Sequence, residues 1–136
     1  MVQSIRAAEE RFRAENQRYL SISDVTGTGL GHYYPVSTPG RDKHRFFRGR
    51  GDAEEALWHL LNPTVTGPVQ FGYSVVAGSP DARMPAPNSP TKPVWPDPPT
   101  EPWYVIEARG DTDGDGKGTF VVASSLTEAF VEDATY

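Results

Sequence analysis

With 136 residues, the chain is long enough to form one domain around a single hydrophobic core, and we treat residues 1–136 as one unit. Its net charge of −5 argues against nucleic acid or an anionic membrane surface as the main partner. The absence of cysteine excludes disulfides, zinc–thiolate sites and thiol catalysis. Thirteen glycines and thirteen prolines predict many turns.

Residues 4–20 form the first predicted element, an amphipathic helix within the N-terminal segment 1–20. Its apolar side chains recur at the spacings that place them on one face of an α-helix: Ile5, Ala8, Phe12 and Tyr19. Glu9 precedes Arg13 by four residues, in the order that supports an exposed helix. Because no turn chemistry precedes Ser4, we interpret this segment as the continuation of a longer native helix.

A loop is predicted over residues 21–34, with room for a short extended piece at residues 32–36, and a basic stretch follows at residues 41–50 (RDKHRFFRGR). Phe46 and Phe47 lie at its centre. A nucleic-acid site would need a structured groove, stacking aromatics and a basic background, whereas this chain is acidic. We therefore expect a solvated strand or turn whose phenylalanines pack inward.

A short second helix is predicted over residues 53–61. Asp52 and Glu55 form a capping-box-like pair at its start, and the Asn-Pro pair at 62–63 ends it. Trp58 and His59 fall at the edge of the predicted apolar stripe. That stripe consists of Ala56, Leu57, Leu60 and Leu61.

Three further segments predict the strands of an antiparallel meander. Residues 69–77 alternate apolar and polar side chains, which indicates a strand with one buried face. Residues 103–108 and 119–124 are joined by a Gly/Asp turn and form a hairpin. A last edge strand is predicted near residues 129–131. The sequence thus predicts an α+β fold with a sheet of about four strands.

Between the first two strands, residues 78–102 contain nine of the thirteen prolines. Proline lacks the backbone donor that a helix interior or a central strand requires, so this segment is neither. We expect an ordered surface excursion that Val94, Trp95 and Trp103 pin to the sheet. Pro-rich segments also serve as ligands for aromatic grooves, a pattern that residues 93–96 match only loosely.

The turn after the second strand carries Asp111, Asp113 and Asp115 at alternate positions, followed by Gly116. Oxygens at the first, third and fifth positions are the first half of an EF-hand-like calcium loop. The twelfth position would be Val122, where a bidentate glutamate is expected. The alternative is a solvated Asp/Gly turn. For calcium to bind, the missing ligand would have to be a more distant carboxylate oxygen, from Glu107, Glu128, Glu132 or Asp133.

The sequence contains no arrangement of catalytic side chains that we recognise. The three histidines are scattered, no serine lies in a nucleophile-elbow pattern, and no glycine-rich loop carries a phosphate-binding lysine. We therefore do not expect an enzyme.

Four segments resemble the type IV pilin and pseudopilin family. Residues 5–12 (IRAAEERF) and 16–20 (NQRYL) resemble the point where the pilin helix leaves its membrane-inserted half and ends at an aromatic residue. Residues 69–73 (VQFGY) and 107–116 (EARGDTDGDG) resemble the sheet of minor pilins, in which an alanine-x-glycine-aspartate run precedes the last strands.

The resemblance implies a pilin-like fold, in which a long N-terminal helix packs on the antiparallel sheet. It implies a non-catalytic subunit of a type IV pilus or a type II secretion pseudopilus, with other pilin subunits and the assembly machinery as partners. A preceding hydrophobic segment would anchor the subunit in the bacterial inner membrane before it enters an extracellular filament. Ile5, Ala8, Phe12 and Tyr19 would then be the filament-packing residues. Calcium at the three aspartates would replace the disulfide that many pilins use.

A second interpretation comes from a different class of protein. The aspartate turn, with Trp95 and Trp103 near it, would suit a secreted calcium-dependent module that binds carbohydrate or protein, because aromatic rings stack on sugars.

Overall fold

The computed structural model describes residues 1–23, 30, 33–36, 39–49, 51–89, 92–96, 98–111, 114, 118–126 and 130–133. It contains helices α1 (Val2–Asn16) and α2 (Ala53–Leu61) and strands β1 (Gly72–Gly78), β2 (Trp103–Gly110), β3 (Thr119–Ser124) and β4 (Phe130–Asp133). The strands form one antiparallel sheet in the order β1-β2-β3-β4. Strands β1 to β3, with seven, eight and six residues, form its body, and the four-residue β4 lies at its edge. The predicted α+β class, N-terminal helix, antiparallel sheet and short second helix are confirmed.

Helix α1 ends earlier than predicted. Gln17 takes the left-handed conformation (φ 60°), and its N–H donates to the Arg13 carbonyl, which closes the helix after Asn16. The chain then turns back, so that the Tyr19 hydroxyl accepts from Arg13 and donates to Glu10, both at 3.0 Å. Tyr19 is therefore buried through this turn and not through the helical stripe.

The larger hydrophobic core lies between the helices and one face of the sheet, and we call it the helix-side core. Tyr73 and Val75 of β1 and Ile106 of β2 face it. Aromatic rings dominate its outer part, where Trp58 stacks on Tyr34 with ring centroids 5.5 Å apart. Such pairs add roughly 0.5–1.5 kcal/mol to the burial of their area. The α1 side chains Ile5, Ala8 and Phe12 complete the core.

Helix α2 has the predicted bounds but a different buried face. Glu55, Trp58 and Leu61 are buried, whereas Leu60 is 59% exposed. The predicted stripe is correct at Leu61 and wrong at Ala56 and Leu60, which are exposed. The Trp58 ring buries far more apolar surface than these smaller side chains and turns the helix toward Tyr34 and Phe46.

The opposite face of the sheet is also covered, in contrast to the prediction of one buried face. Trp103, Val105 and Val76 form a second cluster there with Met84 and Leu30, and we call it the far-side cluster. Ala82, Met84 and Trp95 of the Pro-rich segment contribute to this cover. Trp103 Nε1 donates to the Ala82 carbonyl and ties the segment to β2. Within the segment, Trp95 Nε1 donates to the Pro85 carbonyl and Asp81 N to the Pro99 carbonyl.

We expected Val94 to pin the segment to the sheet, but its side chain is 94% exposed. Trp95 and Trp103 satisfy their indole N–H groups on carbonyls of the segment itself. The aliphatic side chain of Val94 has no N–H group that could form such a hydrogen bond, and it points to solvent.

The outer edge of β1 is covered by the segment that follows α1. The N–H groups of Val75 and Ala77, which point away from β2, donate to side-chain oxygens in that segment. The acceptors are the Oγ atoms of Ser23 and Ser21, at 2.9 and 3.1 Å. Tyr34 and Tyr73 exchange two backbone hydrogen bonds and close the rest of this edge.

Candidate functional site

The residues predicted to pack in a filament lie inside the domain. Ile5, Ala8, Phe12 and Tyr19 are at most 7% exposed and belong to the helix-side core. They attach α1 to the sheet. A neighbouring molecule would instead meet the exposed stripe of α1 that consists of Gln3, Ala7, Glu10 and Ala14.

Glu9 lies on the buried face of α1 and is fully buried. Its Oε1 accepts from the Leu20 N–H at 2.8 Å, whereas its buried Oε2 has no hydrogen-bond partner. Burial raises the pKa of Glu9 to about 8, against the lowering effect of the Leu20 N–H and with a smaller raising effect of the Glu10 charge. The carboxyl therefore holds the turn after α1 and is mostly protonated at neutral pH.

Glu55 accepts hydrogen bonds from four groups at the start of α2. Its Oε1 accepts from the Tyr34 hydroxyl at 2.8 Å, and the two oxygens accept three backbone N–H groups. Those N–H groups belong to Arg48, Gly49 and Gly51. Burial alone would raise the pKa of Glu55, but these four donors lower it to about 2. Asp52 provides the predicted cap, because its Oδ1 accepts from the Glu55 N–H at 2.8 Å.

Glu107 is the third buried carboxylate and connects the sheet to two loops. Its Oε2 accepts from the Tyr33 hydroxyl at 2.7 Å and from Asn88 Nδ2 at 3.0 Å, and its Oε1 accepts from the Asn88 backbone N–H. Burial, followed by the hydrogen bond and charge of Glu107, raises the pKa of Tyr33, so the phenol stays a donor. Glu107 is thus committed to this network and is not a spare oxygen for the aspartate turn.

The structure tests only part of the predicted calcium loop. Asp111 is half-buried and accepts from the Gly114 N–H through its carbonyl at 3.2 Å, whereas Asp113 and Asp115 lie outside the described residues. Arg41 lies against this turn, because a Cβ atom at Gly114 would be 3.0 Å from its Cδ and 3.1 Å from its Nε. Within the described residues, no three His, Asp or Glu side chains come together to hold a metal ion. Calcium binding stays a prediction.

The basic stretch forms one wall of an open groove beside α2, which we define by residues 45–47 and 65–68 and call the aromatic groove. Phe46 is buried against Trp58, and Phe47 stacks on His59 with ring centroids 4.2 Å apart. The prediction that these phenylalanines pack inward is confirmed for Phe46, whereas Phe47 is only half-buried. Arg45 is exposed at the rim. The groove has a volume of about 640 Å³.

Sequence reasoning missed the three buried glutamates. A signal exists for Glu9, which lies four residues after Ile5 and three before Phe12 on the apolar stripe. For Glu55 the capping-box pattern gave the helix start but not the donors that precede it. For Glu107 the sequence carries no signal, because its partner Tyr33 is 74 residues away.

Comparison of the chain with protein-family models, curated proteins and solved structures finds no match. Neither helix in the part of the chain that the structure describes is long and apolar enough to cross a lipid bilayer.

Proposed function

We propose that the chain is a non-catalytic structural subunit of a type IV pilus or of a related filament such as the type II secretion pseudopilus. The observation that carries the proposal is the position of α1. One face of α1 packs on the sheet through Ile5, Ala8 and Phe12, and the sheet is an antiparallel meander with strands in sequential order. The resemblance to pilins implies this architecture.

The opposite face of α1 supports the proposal because it can be packed against a neighbouring subunit. Its exposed stripe contains two alanines, Ala7 and Ala14, which allow another backbone to approach closely. Glu10 lies between them on the stripe and provides a negative charge. In this proposal the domain keeps its own core intact and assembles through the exposed stripe.

The first test is the state of the native protein in its source cell. The intact mass and N-terminal sequence would be determined for the membrane fraction and for filaments sheared from the surface. We expect an apolar extension of roughly 25–30 residues before residue 1, a length that suits a bilayer-spanning helix. A native chain that begins at Met1 and occurs only in soluble fractions would overturn the proposal.

A paired substitution tests the exposed stripe. Ala7→Glu places a charge on the stripe, whereas Ala53→Glu places the same charge on an exposed alanine of α2. We expect Ala7→Glu to reduce surface filaments and Ala53→Glu to leave them unchanged, with the melting temperature of the domain the same in both. Equal filament amounts in both variants would exclude the stripe from assembly.

The calcium prediction, and with it the alternative of a calcium-dependent binding module, has its own test. Thermal unfolding would be followed with calcium and with a chelator, for the natural chain and for Asp113→Ala. A higher melting temperature with calcium, lost in the variant, is the expected result, because a bound ion stabilises only the folded state. An unchanged melting temperature would contradict it.

A further inference from the structure

We propose that the Pro-rich segment of one subunit, through Val94 and the prolines beside it, docks in the aromatic groove of a second copy of this chain. The inference deepens the proposed filament function by naming a contact between subunits, and its biological setting rests on that function. The contact itself is a property of the domain and is testable without the filament.

The docking segment is exposed and held in position. Val94 is 94% exposed, so its whole side chain is accessible to a partner. The next residue, Trp95, packs against the far-side cluster and donates to the Pro85 carbonyl at 2.8 Å. Pro93 and Pro96 restrict the backbone on both sides. Little conformational entropy is therefore lost when Val94 binds.

The aromatic groove has the chemistry that such a segment needs. Phe47 and Pro68 present apolar surface, and Phe46 lies below them. Aromatic-lined grooves bind Pro-rich segments because the extended backbone is preformed and its side chains fill adjacent hollows. A volume of about 640 Å³ accommodates a valine with its flanking prolines.

Opposite charges accompany the two surfaces. Residues 41–48 carry four Lys and Arg side chains and one Asp, and Arg45 lines the groove. The Pro-rich segment, residues 78–102, carries three acidic and two basic side chains and so has a net charge of −1. The basic stretch of one molecule is thus complementary in the sign of its charge to the Pro-rich segment of another, in a chain whose net charge of −5 otherwise opposes self-association.

The two surfaces lie on opposite sides of the sheet, so one molecule cannot join them. Phe46 and Phe47 pack with the helix-side core, whereas Trp95 packs with the far-side cluster. A contact between segment and groove therefore has to be intermolecular and head-to-tail. Contacts of this kind generate rings when the rotation closes and open helical filaments when it does not.

The test uses two variants that each remove one half of the contact. Val94→Asp changes an exposed side chain of the segment, and Arg45→Glu changes an exposed side chain of the groove, so neither should affect folding. Sedimentation velocity would be measured for the natural chain, for each variant and for their equimolar mixture. Ser79→Asp and Arg18→Glu are the controls, because they make the same charge changes at exposed positions away from Val94 and from the residues that line the groove.

We expect the natural chain to form oligomers that grow with concentration, with a dissociation constant on the order of 1 mM or below. Each variant alone should associate at least about tenfold more weakly than the natural chain, because it lacks one well-placed contact. Their mixture should form dimers and nothing larger, because the pair retains one intact segment and one intact groove. Higher salt should weaken the association of the natural chain.

A peptide of residues 92–101 provides a direct probe of the groove. In heteronuclear NMR spectra, we expect its addition to shift the signals of residues 45–47 and 65–68, and a peptide with aspartate at the valine position to fail. A natural chain that stays monomeric and ignores the peptide would overturn the inference. So would a mixture of variants that behaves like either variant alone, or a groove that binds an unrelated Pro-rich peptide equally well.

Failure of this contact and failure of the filament role are distinguishable. If the native protein occurs in sheared filaments and both variants still assemble there, the contact is wrong and the filament role stands. If the variants complement each other in solution but the native protein never enters a filament, the contact stands and the filament role is wrong.

Discussion

Helix α1 buries Glu9 and helix α2 buries Glu55, but their surroundings move the two pKa values in opposite directions. Glu9 has one donor for two oxygens, and burial raises its pKa to about 8. Glu55 has four donors, which overcome the effect of burial and lower its pKa to about 2. Burial opposes the anionic form of both groups, and the four donors of Glu55 outweigh that effect whereas the single donor of Glu9 does not.

The largest effect is expected for Glu55→Gln. The amide places an NH₂ group among donors that need an acceptor, so at least one backbone N–H near Arg48 or Gly51 stays unpaired. In chemical denaturation at pH 7, we expect Glu55→Gln to lose more stability than Glu9→Gln, Tyr33→Phe or Asp52→Ala. Because the folded-state pKa lies below the unfolded one, the contribution of Glu55 is present above pH 4.5 and disappears as the pH falls toward 2.

The dependence of stability on pH at acid pH, which we call the acid limb, provides the control for Glu55. The natural chain should lose stability between pH 4.5 and 2, whereas Glu55→Gln should change less over the same range. Parallel acid limbs for the two proteins would contradict the assignment of a low pKa to this group.

Glu9→Gln should have the next largest effect, and its sign should depend on pH. The folded-state pKa of Glu9 lies above the unfolded one, so the folded state retains a proton between pH 4.5 and about 8 and stability falls as the pH rises through this window. At pH 9 the ionised carboxylate costs the folded state on the order of 5 kcal/mol. Glutamine keeps the acceptor for Leu20 and does not ionise.

We therefore expect Glu9→Gln to be stabilising by about 1–3 kcal/mol at pH 9 and destabilising by about 1 kcal/mol at pH 4, where its amide N–H lacks an acceptor. Denaturation curves at the two pH values measure both. Glu15→Gln, an exposed position of the same helix, is the control. If the stability of Glu9→Gln changed between pH 4 and pH 9 as much as that of the natural chain, a group other than Glu9 would be responsible for the change.

Tyr33→Phe extends the comparison to Glu107, whose donors come from distant loops. The substitution removes the hydroxyl that donates to Glu107 at 2.7 Å and leaves the two Asn88 donors in place. We expect a loss of about 1–2 kcal/mol in chemical denaturation, since hydrogen bonds to charged groups are among the stronger ones. No loss would mean that Asn88 alone satisfies this carboxylate.

The smallest effect is expected for Asp52→Ala, which removes the cap of α2 but leaves the four donors of Glu55. A helix cap contributes about 1 kcal/mol, and the melting temperature should fall accordingly. Asp52→Asn retains the accepting oxygen and should restore most of the loss. A loss as large as that of Glu55→Gln would show that the cap, and not the glutamate, holds this end of the helix.

Local signals predicted the parts of the fold that local chemistry determines. The cap at Asp52 and the Asn-Pro pair at 62–63 predicted the bounds of α2, and the bounds of β3 were also predicted correctly. Gln17 was missed because glutamine is not the residue that usually marks a left-handed helix end. The buried position of Trp58 in α2 and the second buried face of β1 were missed because partners distant in the sequence cover them, namely Tyr34 for Trp58 and Leu30 in the cluster of Val76.

The candidate site was less predictable than the fold. The aromatic groove joins residues 45–47 to residues 65–68, and only the folded chain brings them together. Val94 is exposed next to Trp95, which donates to the Pro85 carbonyl, and no periodicity of the sequence indicates this arrangement.

The covered edge of β1 has a consequence for how copies of this domain meet. A bare edge strand pairs with almost any other strand, because backbone hydrogen bonds do not depend on the sequence. Here Ser21, Ser23 and Tyr34 already occupy the outward groups of β1, so another chain cannot add to the sheet on that side. Association at this side of the molecule has to use side chains, which distinguish one partner from another, and amyloid-like growth from this edge is blocked.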